Sequence, residues 1–324
     1  MLSIYFVICH IINFIIMSHI DTINTNSWFV IANPTSGNRN FSKQWKEIQQ
    51  LLKHKNLDYS FAFTQFSKHE IELVQEAIQK GFKNIISVGG DGTLHHVVNG
   101  IMTQRYVKTS DITIAVIPTG TGNDWIKTYA ISKSIEKAIE YIYRKKTYLQ
   151  DIGLLKTNNK ITYFNNVAGL GYDGYIVNKL KKLKSFGAIA YLISGLAGLL
   201  LYKRTVFKII FDDKLIEENC LMTLFGICKF SGGGMQFTKD VKMNDGFLDI
   251  TIAKNFNLFD IVLNIKKLYT GEIVHHKKIE TYKTKKIKVI PLGVKPFIQA
   301  DGELINSGEV NVTIIEKAIK FIIP

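Results

Sequence analysis

Cysteine is scarce. The chain has three in 324 residues (Cys9, Cys220 and Cys228), with no CxxC pair and no Cys/His set at zinc-ligand spacing. That excludes a disulfide-stapled scaffold and a zinc module, and it fits a reducing cytoplasm. Proline is as sparse, at five, so there is no Pro-rich linker. No internal repeat or low-complexity tract is visible. The GxxxxGK[ST] loop of the common NTPases is absent. Long apolar runs are few. Residues 1–16 carry no charge, but they lack the basic start and small-residue cleavage site of a signal peptide, and they are short for a membrane span. Residues 1–27 therefore read as an N-terminal extension, with Met17 a natural alternative start. The run Ser185–Tyr202 is uncharged between Lys184 and Lys203, but Gly187, Gly195 and Gly198 within it favour tight helix packing over a span.

Acidic residues are also in deficit. Lys+Arg number 41 against 27 Asp+Glu, a formal charge of +14, which favours polyanionic partners. Basic residues gather at Lys179, Lys181, Lys182 and Lys184 and again from Lys277 to Lys288. A solvated face is the ordinary reading of such clusters; a membrane-facing one requires separate evidence for a lipid substrate. No RNA- or DNA-binding signature accompanies the charge, so no nucleic-acid partner is expected.

Hydrophobic residues make up 46% of the chain, enough for a substantial core. Through residue 147 the pattern alternates strand and helix. Trp28–Ala32, Leu57–Phe63, Asn84–Val88 and Ile112–Ile117 read as strands, and 42–54, Glu70–Gln79, a stretch from Leu94, and Ser134–Arg144 as helices. That order predicts a mostly parallel sheet covered on both faces. From about residue 148, short alternating runs predict a second, β-rich domain, interrupted by helices near 172–183, 186–201 and 258–268.

In such parallel sheets ligands bind at the carboxyl ends of the strands, and three Gly/Asp/Asn-rich loops fall there. They are Asn33-Pro34-Thr35-Ser36-Gly37, Gly89-Gly90-Asp91-Gly92-Thr93 and Pro118-Thr119-Gly120-Thr121-Gly122-Asn123-Asp124. Glycine-rich turns let backbone N–H groups approach phosphates. Phosphoryl transfer also needs carboxylates near Mg²⁺ and a group to accept the substrate's proton. Asp91, Asp124 and Asp151 follow three strand-like runs and are expected to converge on one cleft, although a lone Asp there is more often a helix cap.

The motifs NPTSGN at 33–38, GGDGT at 89–93, PTGTGND at 118–124, DIG at 151–153, NDGFLD at 244–249 and ADGE at 300–303 stand in an order that resembles bacterial diacylglycerol kinase-like lipid kinases, relatives of the sphingosine kinases. The resemblance spans nearly the whole chain from Trp28. It implies a three-layer, NAD kinase-like α/β domain at 28–147 and a β-sandwich-like lipid-substrate domain at 148–305. Residues 306–324 are expected to return to the first domain. It also implies ATP bound at Asn33, Pro34, Thr35, Ser36 and Gly37, at Gly90, Asp91, Gly92, Thr93, Leu94, His95 and His96, and at Thr64 and Thr121. Asp91, Asp124 and Asp151 would organise Mg²⁺ and water, and Glu303 would be the general base. A structural Mg²⁺ would sit at Lys242, Asp245 and Phe247, the last through its carbonyl. The family's Glu after GGDGTLN is His96 here, which brings the detail of nucleotide binding into question.

The expected protein is thus an ATP-dependent lipid kinase of lipid metabolism, peripheral at the inner membrane leaflet, acting on a diacylglycerol-like or sphingoid hydroxyl. Lys179–Lys184 and Gly187–Leu201 are the expected membrane contact, and a homodimer stays open. The alternatives are an NAD kinase, against which the NPTSGN and PTGTGND loops speak, and a nucleotide-binding regulator without catalysis.

Overall fold

The computed structural model describes residues 26–37, 41–158, 160–180, 198–199 and 201–324. Lys181, Lys182, Lys184 and most of Gly187–Leu201, the expected membrane contact, lie outside the described residues, as do residues 1–25.

Four strands, β1 (Trp28–Ala32), β2 (Tyr59–Phe63), β3 (Asn84–Gly89) and β4 (Thr113–Pro118), pair in parallel in the order β2-β1-β3-β4. β1, β3 and β4 are near-continuous apolar runs, as strands covered on both faces must be. One face is packed by α1 (Phe41–His54) and α5 (Ile135–Arg144) through Trp45, Ile48, Leu52, Ile139 and Ile142. The other is packed by α2 (His69–Gln79) and α3 (Asp91–Thr103) through Val74, Ile78, Val97 and Ile101. The two helices touch at Gly100, where a Cβ would stand 2.2 Å from Val74 Cγ1. A single helical turn, α4 (Trp125–Thr128), precedes α5.

The second half is antiparallel. It comprises β5 (Thr147–Thr157), β6 (Lys160–Phe164), β7 (Val167–Gly171), β8 (Thr205–Phe211), β9 (Lys214–Gly226), the short β10 (Phe230–Ser231) and β11 (Met235–Gln236), β12 (Leu248–Lys254), β13 (Ile279–Thr284), β14 (Lys286–Pro291), β15 (Phe297–Ala300), β16 (Glu303–Ser307) and β17 (Val310–Ile322). Helix α6 (Tyr172–Leu180) follows β7, and α7 (Leu258–Leu263) and α8 (Ile265–Thr270) connect β12 to β13. The apolar run 161–167 falls in two strands, β6 and β7, because the chain bends at Asn165-Asn166. The expected helix 258–268 is two helices that break at Asn264, whose φ of −112° leaves the helical range. β9 pairs β8 with its first half and β7 and β12 with its second, which folds the strands over one another in a sandwich-like way.

β17 is the seam. Its first part pairs antiparallel with β5 and β14, its register shifts between Ile315 and Ile319, and Lys320 and Phe321 then pair in parallel with Thr113 and Ile114 of β4. One apolar core accordingly runs through both halves, from Val97 and Ile114 to Phe207 and Ile250. No helix among the described residues is long and apolar enough to cross a membrane.

Candidate active site

The three glycine-rich loops stack backbone against backbone. Gly37 has φ +87°, and a Cβ there would fall 2.0 Å from the Thr119 carbonyl oxygen; a Cβ on Gly120 would fall 2.6 Å from Gly90 Cα. Only glycine permits these approaches. Two N–H donations fasten the stack, Thr119 to the Gly89 carbonyl at 3.0 Å and Asp91 to the Gly122 carbonyl at 3.1 Å. Asn33 organises the first loop. Its Oδ1 accepts from the Thr35 N–H (3.0 Å) and hydroxyl (2.8 Å), while its Nδ2 donates to Thr93 Oγ1 and Glu70 Oε1, both at 3.2 Å. α3 begins at Asp91 with no side chain capping it, so apart from the Asp91 N–H given to Gly122, its first-turn N–H groups remain available to an anion.

These loops form the polar end of a cavity of about 1040 Å³. Asn33, Thr35, Ser36, Gly37, Thr64, Gly90, Asp91, Gly92, Thr93, His96, Thr121, Asp124 and Glu303 line it, as do Phe66, Lys68 and Glu70. Of the expected positions, Pro34, Leu94, His95 and Asp151 do not. Leu94 is buried in the core. His95 turns inward, its Nδ1 2.8 Å from Asp301 Oδ2.

The other end is apolar, walled by Tyr172, Ile176, Val177, Leu221, Met222, Met235, Phe237, Phe256, Leu268 and Ile273.

Two of the three expected carboxylates meet. Asp91 Oδ2 accepts the Asp124 N–H at 2.8 Å and Oδ1 the Trp125 N–H at 3.2 Å. Burial pushes the Asp91 carboxyl up to about 6, with the nearby Asp124 charge acting in the same direction. Asp124 pairs with Lys127 Nζ at 2.7 Å and accepts the Gly233 N–H at 2.7 Å, which ties the β10–β11 turn over the cleft. Asp151 stands apart, contrary to expectation. It lies on antiparallel β5, where its oxygens accept the Lys317 and Gly246 N–H groups, both at 2.7 Å, pinning the β17 bulge and the turn before β12.

Glu303 opens β16, and its Oε1 lies 3.4 Å from where a Cβ on Gly92 would be. The turn that presents it is held by Asp301, which accepts N–H groups of Asn165 (3.1 Å) and Asn166 (2.9 Å) as well as bonding His95. Lys68 and Glu303 both act on Lys160. Burial and the Lys68 charge lower the Lys160 pKa, and the Glu303 charge opposes them.

Glu70 escaped the sequence reading, because an acid in the first turn of a helix is ordinarily a dipole partner. It is buried, and its Oε2 lies 3.5 Å from His96 Nδ1. A carboxylate from α2 thus stands beside the position where the family's Glu is replaced. Contrary to the expectation that no GxGxxG is present, Gly169-Leu170-Gly171-Tyr172-Asp173-Gly174 spells one across the junction of β7 and α6. These glycines serve packing: a Cβ on Gly174 would meet the Phe297 carbonyl oxygen at 2.3 Å.

At the expected structural Mg²⁺ set, Lys242, Asp245 and Phe247, the one carboxylate is paired with an ammonium group. Asp245 Oδ2 is held by Lys283 Nζ at 2.6 Å, and its Oδ1 accepts the Phe247 N–H at 3.2 Å. Lys283 also lies 3.7 Å from Asp249 Oδ2, so an ammonium group already bridges the carboxylates here. Among the described residues, no group of three or more His, Cys, Asp or Glu side chains is placed to hold a metal ion.

The diacylglycerol kinase catalytic domain profile matches residues 27–155, and the YegS C-terminal NAD kinase beta sandwich-like domain matches 166–323. The chain belongs to the diacylglycerol kinase family. A Bacillus subtilis diacylglycerol kinase is 30% identical over 281 residues, covering 85% of this chain and 88% of that protein. A Staphylococcus carnosus diacylglycerol kinase is 29% identical over 276 residues, 85% and 87% of the two chains. In fold, the chain is similar to the crystal structure of a diacylglycerol kinase from Bacillus anthracis, with TM-score 0.70, 20% identity, and coverage of 92% and 97%. The family's catalytic-domain match covers all three stacked loops, and its C-terminal match covers Glu303 and the apolar wall.

Proposed function

We propose that the protein is an ATP-dependent lipid kinase that phosphorylates the hydroxyl of a diacylglycerol-like or sphingoid lipid. The observation that carries this reading is the single cavity whose one end is a phosphate cradle and whose other end is an apolar chamber, with Glu303 on its wall beside Gly92. A polar second substrate such as NAD has no use for walls of Leu221, Phe237, Phe256 and Leu268, and the NAD kinase reading is not favoured.

The ATP polyphosphate lies along the first-turn N–H groups of α3 and the Asn33–Gly37 loop, with Lys68 at the rim. The lipid places its chains in the apolar end and its headgroup hydroxyl toward the γ-phosphate. Glu303 accepts the hydroxyl proton as the new O–P bond forms and the bond to the β-phosphate oxygen breaks, so ADP leaves with that electron pair. Asp91 is the cleft carboxylate that would hold a Mg²⁺ carried by ATP, since each of its oxygens keeps a lone pair beyond the one N–H it accepts, and the ion would supply neutralisation of phosphate charge. The Lys242, Asp245 and Phe247 site has no part in this scheme.

A phosphate-transfer assay over diacylglycerol, monoacylglycerol, ceramide, sphingosine, undecaprenol and NAD tests the reading. Transfer to one lipid is expected, and Glu303→Gln lowers its turnover by about 10²–10⁴ with ATP binding intact. Transfer to NAD alone, or ATP binding without transfer to any acceptor, would refute it.

A further inference from the structure

The connection between β12 and β13 breaks the rule that apolar helices are covered. α7 reads Leu-Phe-Asp-Ile-Val-Leu, and none of its residues is buried. Phe259 is 70%, Val262 50% and Leu263 66% exposed. A helix apolar on every side ordinarily sits in an interior or in lipid, and adjacent exposed apolar side chains mark an interaction surface. The other side of the segment is accounted for, because Ile261, Leu268 and Tyr269 line the apolar end of the cavity. The segment's one acid is neutralised locally. Asp260 accepts the Asn257 N–H at 2.9 Å in a capping box and pairs with Lys278 Nζ at 2.6 Å. What remains exposed on α7 is Phe259, Val262 and Leu263, and past the break at Asn264 the exposed Lys266 and Lys267 of α8 follow.

We infer that α7 and α8 form a docking surface for an anionic lipid bilayer. Phe259, Val262 and Leu263 enter the headgroup boundary, and Lys266 and Lys267 meet lipid phosphates. Three features select this occupant. The exposed residues combine the apolar and cationic side chains that interfacial helices carry. Asp260 is paired, and the exposed charges on the two helices themselves, Lys266 and Lys267, are both positive. The inner side of the same helices, at Ile261 and Leu268, walls the chamber that the lipid-kinase reading assigns to acyl chains. The inference rests on that reading for its purpose, though its test does not.

The test is sedimentation of the full chain with vesicles of phosphatidylcholine alone and with 30% phosphatidylglycerol. In parallel, turnover is followed on a short-chain diacylglycerol dispersed in water. Phe259→Ser with Leu263→Ser is expected to lower partitioning onto both vesicles at least about tenfold. Lys266→Glu with Lys267→Glu is expected to lower it on anionic vesicles by about fivefold per lysine and to leave neutral vesicles unaffected. Neither pair lines the cavity, so turnover of the dispersed lipid stays within about twofold of the parent. Unchanged sedimentation of both variants overturns the inference. So does a wild-type dimer, seen without vesicles, that the serine pair dissociates, because the face is then an interface between two copies. If the parent phosphorylates no lipid in either form, the kinase reading fails while sedimentation still decides the docking surface.

Discussion

Asp91→Asn offers a test in which the sign of the effect depends on pH. The Asp91 carboxyl titrates at about 6, against 3.8 for an ordinary aspartate, chiefly because burial disfavours its charge. At about 1.4 kcal/mol per pH unit, keeping it ionised costs the fold about 3 kcal/mol at neutral pH. Because the folded-state pKa is raised, this cost is absent below about pH 4, grows between 4 and 6, and is complete above 6. Asparagine carries no such cost. Its amide oxygen can still accept one of the two N–H groups that Asp91 now receives, from Asp124 at 2.8 Å or Trp125 at 3.2 Å. The other then faces an NH₂ group, a loss of about 2 kcal/mol. The variant should therefore be about 1 kcal/mol more stable than the parent at pH 7.5 and about 2 kcal/mol less stable at pH 4, while losing turnover at both. Urea midpoints measured at the two pH values decide the matter, since other titrating groups cancel between parent and variant. An equal loss of stability at both would show that the two N–H bonds, and not burial of charge, dominate at Asp91.

Three further substitutions probe the rest of the site. His95→Leu removes the bond to Asp301 and should lower kcat about tenfold with KM for ATP unchanged, while His95→Gln restores part of it; a shift in KM alone would refute a role in positioning the Glu303 turn. Phe66, on the cavity wall, stacks on His69 at 4.1 Å between ring centroids. Phe66→Ala should raise KM for ATP about 5–10-fold if the ring carries the nucleotide base, with Phe66→Tyr near normal, and an unmoved KM refutes stacking. Asp151→Ala leaves the Lys317 and Gly246 N–H groups without their acceptor and should cost about 2–4 kcal/mol in urea unfolding; unchanged ATP affinity in the folded variant is expected, and its loss would return Asp151 to the cleft.

The parallel strands and their loops were legible because each strand is a short apolar run and the Gly89–Thr93 loop has more glycine than a turn requires. The reading failed where contiguity in sequence stood in for direction in space. The resemblance implies that Gly90–His96 binds nucleotide phosphate as one run. On a helix, however, successive residues turn by about 100°, so Gly92, Thr93 and His96 face the cavity while Leu94 enters the core and His95 meets Asp301. Asp151 was placed with Asp91 and Asp124 because all three follow apolar runs. Yet β5 is antiparallel, and the rule about carboxyl ends belongs to parallel strands. Glu70 left no signal, because its burial depends on Asn33 and His96, residues of other segments. The β6–β7 turn was hidden for the same reason, being held by Asp301, 135 residues away from Asn166.

α3 carries the phosphate-facing residues on one side and grips the second half with the other. Asn99 exchanges two hydrogen bonds with the Tyr163 backbone, at 2.8 and 2.9 Å, and His95 bonds Asp301. Asp124 adds the Gly233 bond from across the cleft. Swinging the halves apart at α3 would break these four bonds, three of them involving side chains sheltered from water, where an unmade bond costs the most. β17 resists the same motion covalently, since one strand belongs to both sheets. Glu303 and the first turn of α3 are therefore held at a fixed separation before any substrate arrives. In the proposed reaction the cleft would bring donor and acceptor together by being filled, with the entropy of alignment already lost in folding. A bond away from the reacting atoms, such as that from His95 to Asp301 in the turn that presents Glu303, would then bear on turnover.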